Sequence, residues 1–259
     1  MFNARHLQSD RAASTSLGPP HRSHPRMLAR TEAFDWARIG SELDAFGASR
    51  AGVLFKADEC ATLRALYAEE AGFRSRIIMS RHGFGRGEYR YFAYPLPPSI
   101  AALRACFYSH LMPIANRWQE ALARPARFPV THAEFIARCH AAGQTRPTPL
   151  LLRYGAGDYN CLHQDVYGAQ LFPLQIAVLL SEPAMDFEGG AFVLTEQRPR
   201  QQSRVDVVPL RRGEAVIFAV NERPAFGTRG PYRVRMRHGV SRLRRGERYT
   251  LGLIFHDAT

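Results

Sequence analysis

Lysine is nearly missing from this chain. Lys56 is the only one among 35 basic residues, the rest being arginine. A codon preference explains an exchange of Lys for Arg, but it does not create the net charge of +12. Cysteine is sparse as well. Cys60, Cys106, Cys139 and Cys161 form no CxxC pair and no regular framework, so their spacing suggests neither zinc nor disulfides. That usage fits a reducing cytoplasm. No apolar run approaches the roughly 18 residues that a membrane span needs. The N-terminus also lacks the apolar core of a secretory signal. The expectation is a soluble, unexported, cytoplasmic protein.

What is present suffices for a real core. The 259 residues are 46% apolar, which suits one elaborated domain. Residues 1–30 are rich in Ser, Pro, Arg and His without hydrophobic period and are expected to be a disordered basic tail. Helical spacing begins at Thr31, where Phe34, Ile39, Leu43 and Phe46 fall on one stripe that Gly47 ends. Gly52 to Phe55 reads as a short strand. Asp58 then caps a helix with Leu63, Leu66 and Tyr67 on its buried face. A third helix covers Ser99 to Leu122, with Ile100, Leu103, Phe107, Leu111, Ile114 and Trp118 on its apolar side.

Residues 74–97, RSRIIMSRHGFGRGEYRYFAYPLP, mix aromatics with Arg, Gly and Pro, which suits a hairpin or ordered loop. Tyr89 and Tyr91 can stack on a flat substrate while Arg81, Arg86 and Arg90 meet its anionic groups. An extension of the sheet whose aromatics simply pack is the alternative. The charge is concentrated further on. From Arg198 to Arg248 there are 14 Arg against Asp206, Glu214, Glu222 and Glu247. Such a stripe attracts phosphates, or is a solvated set of strand edges.

The stretch LLLRYGAGDYNCLHQD, Leu150 to Asp165, ends in His163-Gln164-Asp165. In extended chain, residues two apart point to one side, so this imidazole and carboxylate can grip one metal ion. His238 follows 75 positions on, with Met236 and Val240 on the same face of a strand. Two His and one carboxylate leave open positions on an octahedral Fe(II). Ten residues later, Arg248 opens an apolar run that ends the chain. Its guanidinium can bind a carboxylate through two parallel hydrogen bonds. A rival pair, His132 and Glu134, falls on a helix, where positions i and i+2 do not face each other. His140 and His256 have no evident partner.

This order of HxD, distal His and Arg resembles the Fe(II)/2-oxoglutarate dioxygenase superfamily. FEGGAF (187–192) is similar to its hairpin before a middle strand, and GEAVIF (213–218) to its turn and buried strand. More narrowly, FGRGEYRYFAYPLP, RPTPLLLRY, LHQDVYG, EQRPRQQSR and RHGVSRL resemble a bacterial family proposed to act in oxidative repair of damaged DNA. The narrower likeness runs from Trp36 to Ala258. It implies an α+β fold, a double-stranded β-helix (a cupin-like jelly roll) forming a barrel braced by N-terminal helices. The catalytic core would span 149–259 and the helical part 31–148, the two packed as one domain. Strands are expected at 150–154, 174–180, 191–194, 205–210, 215–219, 233–240 and 249–255.

The resemblance further implies His163, Asp165 and His238 as iron ligands, Arg248 as anchor of 2-oxoglutarate, and Tyr154 and Gln175 near the iron as co-substrate contacts. Fe(II), 2-oxoglutarate and O2 would be required, with ascorbate as a candidate stimulant. A C–H bond would be hydroxylated with release of succinate and CO2. On an N-methyl group this chemistry liberates formaldehyde. Alkylated-base repair dioxygenases carry a second Arg where this chain has Ile254. The His–Arg spacing here is closer to prolyl hydroxylases, which usually have Lys in the place of Arg248. Modified nucleic acid, a protein side chain and a small molecule therefore all stand as substrates, and a non-enzymatic jelly-roll binding module is the remaining alternative.

Overall fold

Two strands show how this sequence makes layers. β7 (Leu174–Leu179) and β11 (Glu214–Ala219) are buried at every position, as a strand must be when both faces of its sheet are covered. Ala215, Ile217 and Ala219 pack with helical residues in one core, whereas the alternating Val216 and Phe218 join a second core between two sheets. The computed structural model of the chain describes residues 24–125, 127–228 and 230–259.

The larger sheet also contains β1 (Ala48–Val53), β2 (Phe73–Ile78), β4 (Glu88–Phe92), β5 (Leu150–Tyr154) and β15 (Arg248–Leu253), in the order β1-β11-β7-β15-β5-β4-β2. The second sheet runs β10 (Arg204–Val208), β9 (Phe192–Gln197), β13 (Gly230–Val240), β6 (Tyr159–His163) and β3 (Gly85–Arg86), and β12 (Glu222–Gly227) also pairs with β13. β8 (Phe187–Gly189) and β14 (Leu243–Gly246) make a separate two-stranded ribbon. Every strand pairing is antiparallel. Phe192 against Phe218, ring centroids 4.9 Å apart, joins the two layers. This is the expected jelly-roll architecture with one correction. The sheets keep free edge strands and do not close into a barrel.

Helices α1 (His24–Glu32), α2 (Trp36–Phe46), α3 (Ala57–Ala65), α4 (Pro98–Ala121) and α5 (His132–Ala141) complete the chain, and their apolar faces share a core with the larger sheet. The expected irregular tail is thus helical from His24, and Met27 is buried; residues 1–23 lie outside the described ones. α2 is capped as its sequence suggests. The Asp35 carboxylate accepts from the Arg38 N–H at 2.9 Å, and Gly47 ends the helix at φ 77°. α3 differs from expectation, since it is Glu59 that accepts the Lys56 N–H, at 2.7 Å, while Asp58 lies inside the first turn.

Residues 31–148 also do more than brace the core. They supply β1 at one edge of the larger sheet, β2 and β4 at the other, and β3 to the second sheet. The strand expected at Gly52 to Phe55 is β1, which starts earlier, at Ala48. From α4, buried Arg104 donates to the Ile254 carbonyl at 2.7 Å and to Asp257 at 2.8 Å, tying the helix to the C-terminal residues.

Candidate metal centre

His163 and His238 are direct cross-strand partners in the β6–β13 pairing. Partners in register share a face, and their imidazoles stand with centroids 4.1 Å apart. The register slips just beyond His238. There Gly239 allows a close approach, because a Cβ on it would lie 2.7 Å from the Asn160 carbonyl oxygen. Asp165 falls two residues past the end of β6 rather than on the strand. The turn nevertheless brings its carboxylate to 3.5 Å from His163 Nε2 and 3.3 Å from His238 Nε2. One donor atom from each of the three lies within 4.8 Å of the others, a geometry that could hold a metal ion.

The surroundings orient these groups. The Cys161 carbonyl lies 2.8 Å from His163 Nδ1, so the proton belongs on Nδ1 and the Nε2 lone pair faces the centre. Burial opposes the charge on Asp165, but the adjacent His163 and His238 outweigh it and hold the carboxyl well below its usual range. Burial likewise disfavours the His163 cation, yet Asp165 raises its pKa. Tyr167 Oη donates to Asp165 Oδ1 at 2.6 Å and Gln175 Nε2 to Oδ2 at 2.8 Å. Tyr91 donates in turn to Tyr167 at 3.1 Å.

The triad opens into a cavity of about 190 Å³ between the sheets, with Arg248, Tyr154 and Thr250 on its wall. Arg248 is in register with Tyr154 across the β15–β5 pairing. Its guanidinium is fully buried, donates to Thr250 Oγ1 at 2.6 Å, and meets no carboxylate among the described residues. Burial without a counter-charge pushes its pKa down to about 10. Arg248 Nε, Tyr154 Oη and Gln175 Oε1 are buried with no hydrogen-bond partner. Polar atoms left in that condition are costly, and here they share one cavity.

Other expected residues are placed as follows. Tyr89 lines the cavity together with half-exposed Phe84. Tyr91 packs behind it, buried, with its ring 5.2 Å from Tyr89. Arg90 is turned away, bonding the Glu69 carbonyl at 2.6 Å and lying over Tyr67. Arg81 and Arg86 are exposed. His132 bonds the Phe255 carbonyl while Glu134 closes the capping box of α5, so this rival pair does not converge. His140 meets Asp257 at 2.9 Å and His256 is buried beside Phe172. The basic stripe is divided. Arg223 is buried against Glu196 and Arg248 lies in the cavity, while Arg233, Arg235 and Arg237 are exposed on the face of β13 opposite His238. Tyr167 and Thr250 had gone unnoticed in the sequence. Each lies two residues beyond a predicted site residue, a spacing that could have found them.

A family model for oxygenases described as catalysing oxidative methylation of damaged DNA matches residues 87–258. The chain belongs to this family. The oxygenase is 48% identical over 167 residues to uncharacterized proteins from two strains of Mycobacterium tuberculosis, covering 64% of this chain and 72% of theirs. Three solved structures share its fold. A Pseudomonas putida prolyl-4-hydroxylase is 15% identical with a TM-score of 0.50, covering 84% of this chain and 96% of that one. A Burkholderia pseudomallei oxidoreductase of the 2OG-Fe(II) oxygenase family is 16% identical at 0.50, covering 86% and 93%. A Trichoplax adhaerens prolyl hydroxylase, in complex with a hypoxia inducible factor fragment, is 15% identical at 0.54, covering 90% and 92%. The double-layered jelly roll of these structures is therefore the fold of this chain, and membership of an oxygenase family sets the non-enzymatic alternative aside.

Proposed function

We propose that this oxygenase depends on Fe(II) and 2-oxoglutarate and removes N-methyl groups from damaged nucleic acid by hydroxylating them. The observation that carries the co-substrate is Arg248. A buried guanidinium without a carboxylate, in one small cavity with a two-His, one-Asp donor set, is the arrangement an anionic chelating ligand completes. His163, Asp165 and His238 would hold the iron. Arg248 and Thr250 would take the far carboxylate, and the unpaired Tyr154 hydroxyl is available to the same ligand. Iron and 2-oxoglutarate, once bound, supply the oxidising chemistry, consuming O2 and yielding succinate and CO2.

The chain's own part is positioning. The Cys161 carbonyl keeps the His163 ring in the tautomer that ligation needs, while Tyr167 and Gln175 fix the Asp165 carboxylate. Leu150, Leu152, Phe192, Phe218 and Val240 make the wall apolar and exclude water. In this reading the substrate presents its methyl group to the triad from the open side of the cavity. Phe84 and Tyr89 offer faces there on which a base can stack, and exposed Arg81 and Arg86 lie on the same stretch of chain.

The test is succinate and formaldehyde release by the iron-loaded protein with N-methylated single-stranded DNA, unmethylated DNA, a proline-containing peptide pool and no substrate, with and without ascorbate. Formaldehyde with methylated DNA alone, and its loss in His238→Ala, is the expected result. A second reading, hydroxylation of a protein side chain or small molecule, is favoured by Ile254 in place of a second cavity Arg. It predicts succinate coupled to the peptide pool, or to added metabolites, without formaldehyde.

A further inference from the structure

A second set of side chains, remote from the cavity, has the donors and spacing of a metal site. Glu32 is the last residue of α1, and Cys106 and His110 lie one turn apart on α4. One donor atom from each is within 4.8 Å of the others. Cys106 Sγ stands 3.4 Å from one Glu32 carboxylate oxygen and His110 Nε2 stands 3.0 Å from the other. Around tetrahedral zinc, with bonds of ~2.0–2.3 Å, neighbouring donors are roughly 3.3–3.7 Å apart. Small rotamer adjustments therefore suffice to close these three onto an ion.

The imidazole is also held in place. Trp36 stacks flat on His110, centroids 4.2 Å apart and planes 6° from parallel, with Nε2 toward Glu32. The helix spacing has a reason too, because residues i and i+4 share a face. Thiolate, imidazole and carboxylate together select a borderline cation such as Zn2+ over the oxygen-seeking Mg2+ and Ca2+. Cysteine spacing along the chain suggests no zinc because the third ligand comes from a different helix, 74 positions from Cys106.

We propose that Glu32, Cys106 and His110 bind one Zn2+ ion, with a water in the fourth position, and that the ion fastens α1 to α4. α1 already packs on α4 through buried Met27, and its other flank is tied where Arg30 bonds Glu59 and the Leu54 carbonyl. The metal would add a polar tie at the C-terminal end of α1, where Glu32 faces α4. This site stands independently of the proposed catalytic chemistry.

Cobalt separates the two centres, because a thiolate ligand gives Co2+ an intense near-ultraviolet charge-transfer band that imidazoles and carboxylates do not. The full chain, reduced and metal-free, is titrated with Co2+ under anaerobic conditions. One equivalent of thiolate band, displaced by Zn2+, is expected in the wild type and in His238→Ala, which disables only the cavity triad. The band should vanish in Cys106→Ser, and His110→Ala should bind roughly tenfold or more weakly. No band in the wild type overturns the proposal. So does a band that survives Cys106→Ser but is lost in His238→Ala, which would put the thiolate at the cavity. X-ray absorption of zinc-loaded His238→Ala answers without a cysteine variant: one sulfur in the shell supports the site, and a shell of nitrogen and oxygen alone refutes it.

Discussion

Under the proposed function, Arg248 concentrates the conflict between stability and function in one side chain. Its full burial without a carboxylate carries a desolvation cost that Thr250 and the rings of Tyr154 and Phe187 only partly offset. Arg248→Met is therefore expected to stabilise the ligand-free protein by roughly 1–4 kcal/mol. The same variant should lose the rise in melting temperature that 2-oxoglutarate gives the wild type in the presence of a redox-inert divalent metal. Denaturation with and without the co-substrate checks both halves, and an Arg248→Met protein that is less stable yet still responds to 2-oxoglutarate would contradict them. The position of Arg248 was legible in the sequence from its spacing to His238 and the strand it opens. Its lack of a counter-charge was not, since chain order cannot show which carboxylates end up near.

The corner between β8 and β9 sets where that guanidinium stands. Gly190 has φ 59°, and a Cβ there would fall 2.3 Å from Leu243 Cδ1 and 3.1 Å from Arg248 Cδ. Gly190→Ala is expected to cost about 1–3 kcal/mol in backbone strain alone and, by displacing the Arg248 stem, to raise the KM for 2-oxoglutarate more than it lowers kcat. Equal effects on both would mean that the corner does not position Arg248. Strand legibility followed burial. β5, β7, β11 and β15 lay within a residue or two of expectation at most of their ends, because strands buried on both faces read as apolar runs. β12 and β14 were missed. Their sequences, ERPAFG and LRRG, carry Pro, Gly and Arg that local rules assign to loops, and their pairing with β13 and β8 overrides that preference. The basic tail was misjudged near its end for a related reason, since Met27 gains a buried place only when α1 packs on α4.

Across the whole molecule, two consequences follow from where its charges are kept. Burial, aided by the Arg104 charge, lowers the pKa of His256 to about 4 and that of His132 to about 3. Both remain neutral when folded, whereas the unfolded chain binds protons at each below about pH 6.5. Stability from these groups is complete above that pH and falls with acidification, by roughly 1–2 kcal/mol for each between pH 6.5 and 5. Asp165, with its lowered pKa, adds to the acid sensitivity at still lower pH, while the raised pKa of His163 works in the opposite direction. His256→Leu should accordingly lose less stability than the wild type between pH 7 and pH 5 in urea denaturation; an equal loss would mean that His256 is not held neutral. The second consequence concerns the net charge of +12, which predicts salt-dependent binding if nucleic acid is the substrate. The sequence shows a concentration of Arg from Arg198 to Arg248, but folding puts Arg233, Arg235 and Arg237 on the sheet face away from His238 and leaves Arg81 and Arg86 on the stretch that carries Phe84 and Tyr89. A single strand delivering a base to the cavity should meet the second group. Replacing both Arg81 and Arg86 by Gln should reduce the slope of log K against log salt by roughly 1.4, at about 0.7 per phosphate contact on single strands. The Arg233, Arg235 and Arg237 triple Gln variant should leave that slope unchanged. The reverse pattern would mean that the strand runs over the outer face of β13, too far from the metal centre for the proposed chemistry.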